Sequence, residues 1–223
     1  MQVLKEPTEL FNGMVVRSGT TDIRSLKEVN HAYRALDITE RSVVLDVGGN
    51  IGGFARQAAE RGASLVVTVE PDANNYRLLK KNTAKYPSII ALNAALIIGA
   101  EKTITLYTMD PARYTSRGSH SIVPTRGRIA QTVEALNFAK LLKDVRPSII
   151  KMDCEGAEYE LLQTPLPSYV KQISMEWHFR SVHPITAYEA LEKKALLDRG
   201  FRPDRAYPPP TPKAWQIVRT YKR

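Results

Sequence analysis

Two groups of residues in this chain have the types and the spacing to do chemistry. The first is acidic. Lys151, Asp153, Glu155 and Glu158 close the apolar run Ser148–Met152 and open the segment after it. Lys151 lies two positions before Asp153, on the same face of an extended segment, where a cation holds carboxylates ionised. Glu155 and Glu158 are i, i+3 neighbours on one helix face. Glu176 and His178 end another apolar run, Gln172–Trp177, and at i, i+2 they point to one side. Carboxylates and an imidazole at adjoining strand ends are the groups that take a proton from a hydroxyl. His178 is the first candidate base, with Asp153 or Glu155 second. A hard divalent cation held by Asp153, Glu155 and Glu176 is a competing use of the same oxygens, but no metal is assigned. The plain structural roles are an N-cap for Asp153 and a macrodipole contact for Glu158. Cys154, the single cysteine, excludes an internal disulfide and reads as a small buried residue.

The second group is Asp46-Val47-Gly48-Gly49-Asn50-Ile51-Gly52-Gly53-Phe54, with Glu70-Pro71 about twenty residues on. Glycines at a strand-to-helix turn let the backbone turn sharply and approach a ligand. Asn50 tolerates positive φ better than most residues. It stands where a dinucleotide fingerprint has its second glycine, which weakens a reading as a pyrophosphate site. The pattern is instead D-x-G-x-N-x-G. An acid ahead of the glycines suits a ligand with a cationic amine and sulfonium and no phosphate, and Glu70 can accept hydrogen bonds from two ribose hydroxyls. Together these features describe S-adenosylmethionine better than a nicotinamide dinucleotide.

The elements that must position these groups alternate. Ser42–Val47, Leu65–Val69, Ser88–Asn93, Ser148–Met152 and Gln172–Trp177 read as buried strands, and helical stretches separate most of them. Thr103–Tyr107 and Ile129–Val133 read as shorter strands around the loop 109–128. A helix is expected near 134–143, and another from Gly156 to just before Pro165. Strands buried on both faces and followed by helices mean an α/β fold with a mostly parallel, doubly wound sheet. The tail from Phe201 supplies two more strands across a stiff Pro208–Pro212 connection, giving an antiparallel last strand. Residues 1–40 read as an N-terminal helical cap segment. Ser25 and Glu28 give it a capping box, and Leu26, Val29, Tyr33 and Leu36 recur at helical spacing. Thr186 and Glu189 form a second capping box. Residues 41–223 form the ligand-binding domain.

Four separated blocks, VVLDVGGNIGGF (43–54), VEPD (69–72), ALNAAL (91–96) and IIKMDCEGAEYELL (149–162), resemble the FkbM-type methyltransferase family. A weaker fifth block is MEWH (175–178). The resemblance covers about residues 40–180. It implies a Rossmann-like class I methyltransferase fold, S-adenosylmethionine as donor, and O-methylation of a sugar, polyketide or similar small metabolite. Carried onto this sequence, the donor site comprises Asp46, Gly48, Gly49, Asn50, Gly52, Phe54, Glu70, Pro71, Asn93, Ala94 and Asp153. Asp153 then stands next to the donor methyl and the acceptor, and Lys151, Asp153, Glu155, Glu176 and His178 carry the chemistry. Gly49 stands where the family usually has alanine.

The acceptor is read from charge. The chain carries a formal +9. Arg113, Arg117, Arg126 and Arg128 give residues 111–128 a charge of +4, residues 199–223 contribute +6, and the rest is left at −1. The excess therefore belongs to one loop and one tail. A small anionic acceptor bound with the help of Arg117, Ser119, Ser121 and Glu158 is the first expectation, and RNA is the second. The chain lacks a Glu after Glu192 to complete the Lys-Asp-Lys-Glu set common in ribose methyltransferases of this fold. The beginning of the sequence has no apolar signal core, and no apolar run is long enough to span a bilayer, so a cytoplasmic location and no membrane are expected.

Overall fold

The apolar runs assemble into one seven-stranded sheet, and their alternation explains why both of its faces are covered. The computed structural model describes residues 7–116, 118–124, 127–178, 185–204 and 216–223. In chain order the elements are β1 (Thr8–Phe11), β2 (Met14–Arg17), α1 (Asp22–Ala32), β3 (Val43–Val47), α2 (Gly53–Glu60), β4 (Leu65–Val69), α3 (Ala73–Thr83) and β5 (Ile89–Leu92). There follow β6 (Ala95–Ile97), β7 (Thr103–Thr108), β8 (Ile129–Asn137), α4 (Phe138–Val145), β9 (Ile149–Met152), α5 (Glu158–Leu161), β10 (Gln172–His178), α6 (Ile185–Ala195), β11 (Arg202–Pro203) and β12 (Gln216–Lys222).

The main sheet has the order β11-β12-β10-β9-β3-β4-β5. The five strands from β10 to β5 are mutually parallel, and β12 runs antiparallel to both β10 and β11. Successive residues of β3 feed opposite layers. Leu45 and Val47 pack with Ile150, Met152 and Trp177 on one side. Val44 packs with Val66, Ile149, Tyr33 and Phe54 on the other. Each such buried side chain contributes about 1.5–3 kcal/mol. The fold is the doubly wound, mostly parallel sheet expected of a Rossmann-like class I methyltransferase, with the tail strand antiparallel. The Pro208–Pro212 connection lies outside the described residues. Among the described residues, no helix is long and apolar enough to cross a membrane.

Several local expectations are corrected. The cap segment is not purely helical, because β1 and β2 form a hairpin on an Asn12-Gly13 turn in which both residues have positive φ (49° and 72°). That dipeptide is a strong hairpin signal. Helix α1 starts at Asp22, with Thr21 as its N-cap, and not at a Ser25–Glu28 capping box. The reason is a buried ion pair. Arg17 from β2 meets Asp22 at 2.9 Å and also donates to Asn75 of α3, while Glu28 turns outward to Arg24. Asn82 of α3 completes the anchorage by bonding both the N–H and the C=O of Val15. The hairpin thereby fixes α1 over the carboxyl ends of the strands. Strand β8 runs to Asn137, four residues further than expected, and Asn137 caps α4 through Lys140 N–H at 2.8 Å. Thr186 lies inside α6 rather than at its cap, and α5 is a four-residue turn of helix. A small second sheet, β6-β8-β7, carries the loop 109–128 toward the same strand ends.

Candidate active site

A cavity of about 300 Å³ opens at the carboxyl ends of β3, β4 and β9. This is where a doubly wound sheet binds its ligands. Its floor is the loop Gly48–Ile51, one end is Glu70-Pro71, and the other end is Lys151, Asp153, Glu155 and Glu176. Helix α1 covers it with Ser25, Glu28 and Val29, and the loop 109–128 with Ser116, Gly118, Ser119 and His120. That loop is tied to the strand ends and to the start of α1. Ser121 Oγ donates to the Glu155 carbonyl at 2.6 Å, and Thr21 N–H donates to the Thr115 carbonyl.

The glycine turn has the geometry its sequence requires. The N–H groups of Gly48 and Gly49 both donate to the Val69 carbonyl, which welds the turn to β4. Gly48 has φ +80°, and a Cβ there would sit 1.8 Å from the Asp153 carbonyl oxygen. Asn50 takes φ +49°. Its N–H donates to Glu70 Oε2 at 2.8 Å, while its own Oδ1 is buried with no hydrogen-bond partner among the described residues. Glu70 also accepts from Asp72 N–H at 2.9 Å and from the Asn75 amide. Burial, reinforced by the neighbouring Asp72, pushes the Glu70 carboxyl up to about 7. A cradle with no room for a Cβ, an orphaned amide oxygen and a buried carboxylate facing the space fit an adenosine-type ligand with a cationic tail.

The acidic end is built on a chain of buried contacts. Lys151 Nζ lies 3.2 Å from Asp46 and 3.8 Å from Asp153, and donates to the Gly48 carbonyl at 2.6 Å. Burial acts to lower this ammonium, but Asp46 and Asp153 outweigh it and raise it above the ordinary lysine value. Asp46 also accepts from Thr68 Oγ1 at 2.8 Å. Behind Asp153 and Glu155, Glu158 accepts from the His178 N–H at 2.9 Å and meets its ring Nδ1 at 3.0 Å. Burial works against that imidazolium. The hydrogen bond and charge of Glu158 nevertheless raise His178 to about 10, and the same bond holds Glu158 below the usual glutamate range against its own burial. Burial and Asp153 push Glu176 up to about 8.

The expected site residues therefore divide. Gly48, Gly49, Asn50, Phe54, Glu70, Pro71, Ala94, Ser119, Lys151, Asp153, Glu155 and Glu176 line the cavity. Asp46, Gly52, Asn93, Ser121, Glu158 and His178 stand behind its wall. Asp46 and Glu158 are fully buried and spent on Lys151, Thr68 and His178. Glu158 thus has no free face for an acceptor, which corrects its expected substrate contact. Gly52 caps α2 with φ +92°. Asn93 donates to the carbonyls of Glu70 and Pro71 and shapes that turn. His178 stands behind the cavity wall with its Nδ1 held 3.0 Å from the buried Glu158, a placement that weighs against its expected role as first candidate base. Arg117 lies outside the described residues. Residues missed from sequence are Tyr33, whose hydroxyl donates to Asp153 at 3.4 Å under the Lys151 ammonium, and Asp72, which caps α3 and lies 3.7 Å from His120. Asp72 stood within the VEPD block. Tyr33 carried only the signal of a core position.

The described geometry defines a class I methyltransferase fold. The fibrillarin of Methanococcus jannaschii, a pre-rRNA processing protein, covers the whole chain at 13% identity and a TM-score of 0.53, with 84% of its own length matched. The Aeropyrum pernix fibrillarin, solved with natively bound S-adenosyl-L-methionine, covers it at 14% identity and a TM-score of 0.50, with 84% of its own length matched. The family model described as the methyltransferase FkbM domain matches residues 46–203. The chain belongs to the FkbM methyltransferase family, and its methyl donor is S-adenosylmethionine. A curated relative, the hexuronic acid methyltransferase AglP of Haloferax volcanii, is 24% identical over 143 residues, 63% of this chain. The match spans 58% of that relative's length.

Proposed function

We propose that this methyltransferase transfers the donor methyl to a hydroxyl of a small, sugar-like acceptor. The observation that carries the reading is the two-ended cavity. A glycine turn and Glu70 lie at one end, and three carboxylates, Asp153, Glu155 and Glu176, lie at the other. When bound, the donor supplies an electrophilic methyl on a cationic sulfur. Glu70 takes ribose hydroxyls with the lone pairs that Asn50 and Asp72 leave free. The cluster around Asp153 holds the acceptor oxygen in line, and such positioning supplies most of the rate. Glu155 is the proton acceptor. It lines the cavity, it is a non-glycine residue held at φ +56°, and Ser121 of the covering loop fixes its carbonyl. Backbone strain of this kind is retained where the surroundings over-determine it. The hydroxyl proton would pass to a Glu155 carboxylate oxygen, with the bound donor supplying the methyl and its sulfur keeping the carbon–sulfur electron pair.

The AglP relative is named for a hexuronic acid, so acid sugars are the first acceptors to test. RNA gains no specific support. Arg113 faces Asp110 at 3.5 Å, and Arg128 donates to the carbonyls of Tyr107 and Ser119. The test is labelled-methyl transfer to hexuronic acids, neutral hexoses and a short RNA. An alkali-stable methyl ether on a sugar is expected, with Glu155→Gln slowing turnover by roughly 10²–10⁴ while donor binding is kept. Label on RNA alone, an alkali-labile ester, or undiminished turnover in Glu155→Gln would refute it.

A further inference from the structure

We infer that Asp153, Glu176 and His178 form a binding site for one divalent cation at the back wall of the cavity. One carboxylate oxygen from each acid and one ring nitrogen of His178 all lie within 4.8 Å of one another. Ligand bonds of about 2.1 Å put neighbouring donors roughly 3–4 Å apart, so closing on an ion requires side-chain shifts of an ångström or less. The scaffold is stiff where it matters. Asp153 follows β9, Glu176 and His178 are i, i+2 on β10, and the two strands are parallel neighbours.

Two further observations separate this set from an ordinary acidic patch. The first is His178, whose side chain is only 3% exposed. Its Nδ1 is committed to the buried Glu158, leaving Nε2 as the free nitrogen. Among the described residues Nε2 makes no hydrogen bond and Glu155 Oε2, at 3.6 Å, is its only ion-pair partner, and a bound cation would take the place of the proton on this nitrogen. A carboxylate holding one imidazole nitrogen so that the other can meet a metal is the usual outer-shell arrangement of histidine ligands. The second is Glu176. Among the described residues its carboxylate has no hydrogen bond or ion pair, because the nearby ammonium of Lys151 is already shared by Asp46, Asp153 and the Gly48 carbonyl.

The chemistry of the donor set defines the ion. Two carboxylates and one imidazole suit a six-coordinate Mn²⁺- or Mg²⁺-like cation better than a closed zinc site. Three protein ligands leave the remaining positions on the cavity side, where Asp153 and Glu176 face the acceptor space. Two adjacent oxygens of a polyhydroxylated or acidic acceptor would fill them. The cation would then orient the acceptor and ease loss of its hydroxyl proton to Glu155. That role rests on the proposed O-methylation, whereas the site itself does not.

The test is Mn²⁺ binding to the full chain without donor or acceptor, read from the electron paramagnetic resonance signal of free Mn²⁺. One saturable site per chain is expected. Asp153→Asn and Glu176→Gln should each weaken it at least tenfold, and Glu158→Gln by a smaller factor, while Glu134→Gln on the exposed face of β8 leaves it unchanged. Circular dichroism checks each fold. Should Glu176→Gln not fold, Asp153→Asn, whose side chain is 30% exposed, carries the comparison. Absence of saturable binding, or equal binding in Asp153→Asn, overturns the site. Methyl transfer at full rate in excess chelator overturns its role and leaves the proposed function standing. Mn²⁺ binding without methylation of any sugar does the reverse.

Discussion

Glu70→Gln separates what burial costs from what the donor repays. The Glu70 carboxyl is 5% exposed and is pushed from the ordinary glutamate range up to about 7, by burial first and by Asp72 second. That displacement of about two and a half pH units is worth roughly 3 kcal/mol between its protonation states. The sign follows from linkage. Between about pH 4.5 and 7 the folded chain holds this proton more tightly than the unfolded chain does. Its stabilising effect is therefore complete below the unfolded value and is lost as pH rises through 7. Glutamine has no charge to desolvate. It does surrender one acceptor oxygen, leaving the N–H of Asn50 or Asp72 without its bond, a pH-independent cost of about 1–3 kcal/mol.

The two effects predict a crossing. Without donor, Glu70→Gln should be less stable than wild type at pH 5 by about 1–2 kcal/mol, and level with it or more stable at pH 8.5. Urea unfolding at intervals of one pH unit measures this, and the difference curve cancels the other titrating groups. Donor affinity should move the opposite way. Calorimetric affinity for S-adenosylmethionine in wild type should rise as pH passes through 7, and Glu70→Gln should lose at least tenfold at pH 8, since bonds to a charged acceptor are worth about 1.5–3 kcal/mol each. Parallel stability profiles would show that Glu70 is not held protonated by its burial. Unchanged donor affinity would show that it is not the ribose acceptor.

Gly48→Ala should abolish donor binding and destabilise the fold, because its Cβ would meet the Asp153 carbonyl oxygen at 1.8 Å with φ at +80°; a melting curve matching wild type would contradict this. Lys151→Met should cost about 3–5 kcal/mol by stranding Asp46, which is fully buried, and lower the calorimetric midpoint on the order of 10 °C. Adding Asp46→Asn should recover most of that loss, and a cost under about 1 kcal/mol would mean that Asp46 already carries a proton. Asp22→Ala should free α1 from the hairpin by leaving Arg17 buried without its carboxylate, so that limited proteolysis cuts near residues 18–35 while the sheet stays protected.

Val43–Val47, Leu65–Val69 and Ile149–Met152 were legible because each is almost wholly buried and reads as a short apolar run broken by a single polar residue, Asp46, Thr68 or Lys151. Val43–Val47 and Leu65–Val69 need no partner to be recognised. The hairpin and α1 were harder, because tertiary contacts decide them. The Arg17–Asp22–Asn75 network puts the N-cap at Thr21, four residues ahead of the local capping signal at Ser25. At the site, glycines, Asn50 and Glu70 were readable because backbone geometry and ligand approach demand those residue types at those positions. Which acids face the cavity was not readable. Asp46 and Asp153 both end strands and both approach Lys151, yet one is fully buried and the other 30% exposed. Thr68 on the neighbouring strand gives Asp46 a second partner beneath the turn, and no such signal is local to Asp46 in the sequence. Glu158 reads in sequence as a first-turn acid, and only the parallel pairing of β9 with β10 brings His178 to it.

The distribution of charge makes one argument about turnover that no single residue makes. Asp46 pairs with Lys151, and Glu158 pairs with His178, each inside the wall. Asp153 and Glu155 face the cavity, with Glu176, pushed up to about 8, beside them. A cation about 5 Å from one such carboxylate gains roughly 3 kcal/mol at an effective dielectric near 20. A sulfonium donor collects that attraction and its neutral product does not, so methyl transfer itself weakens retention of the spent donor. The same field repels an anionic acceptor by a similar amount. Among the described residues of the covering loop, Arg113 faces Asp110 and Arg128 turns to backbone carbonyls, so neither is placed to cancel that repulsion. An acid acceptor must therefore bring, or find, a cation at the carboxylate end of the cavity, and the inferred ion at Asp153, Glu176 and His178 stands at that end.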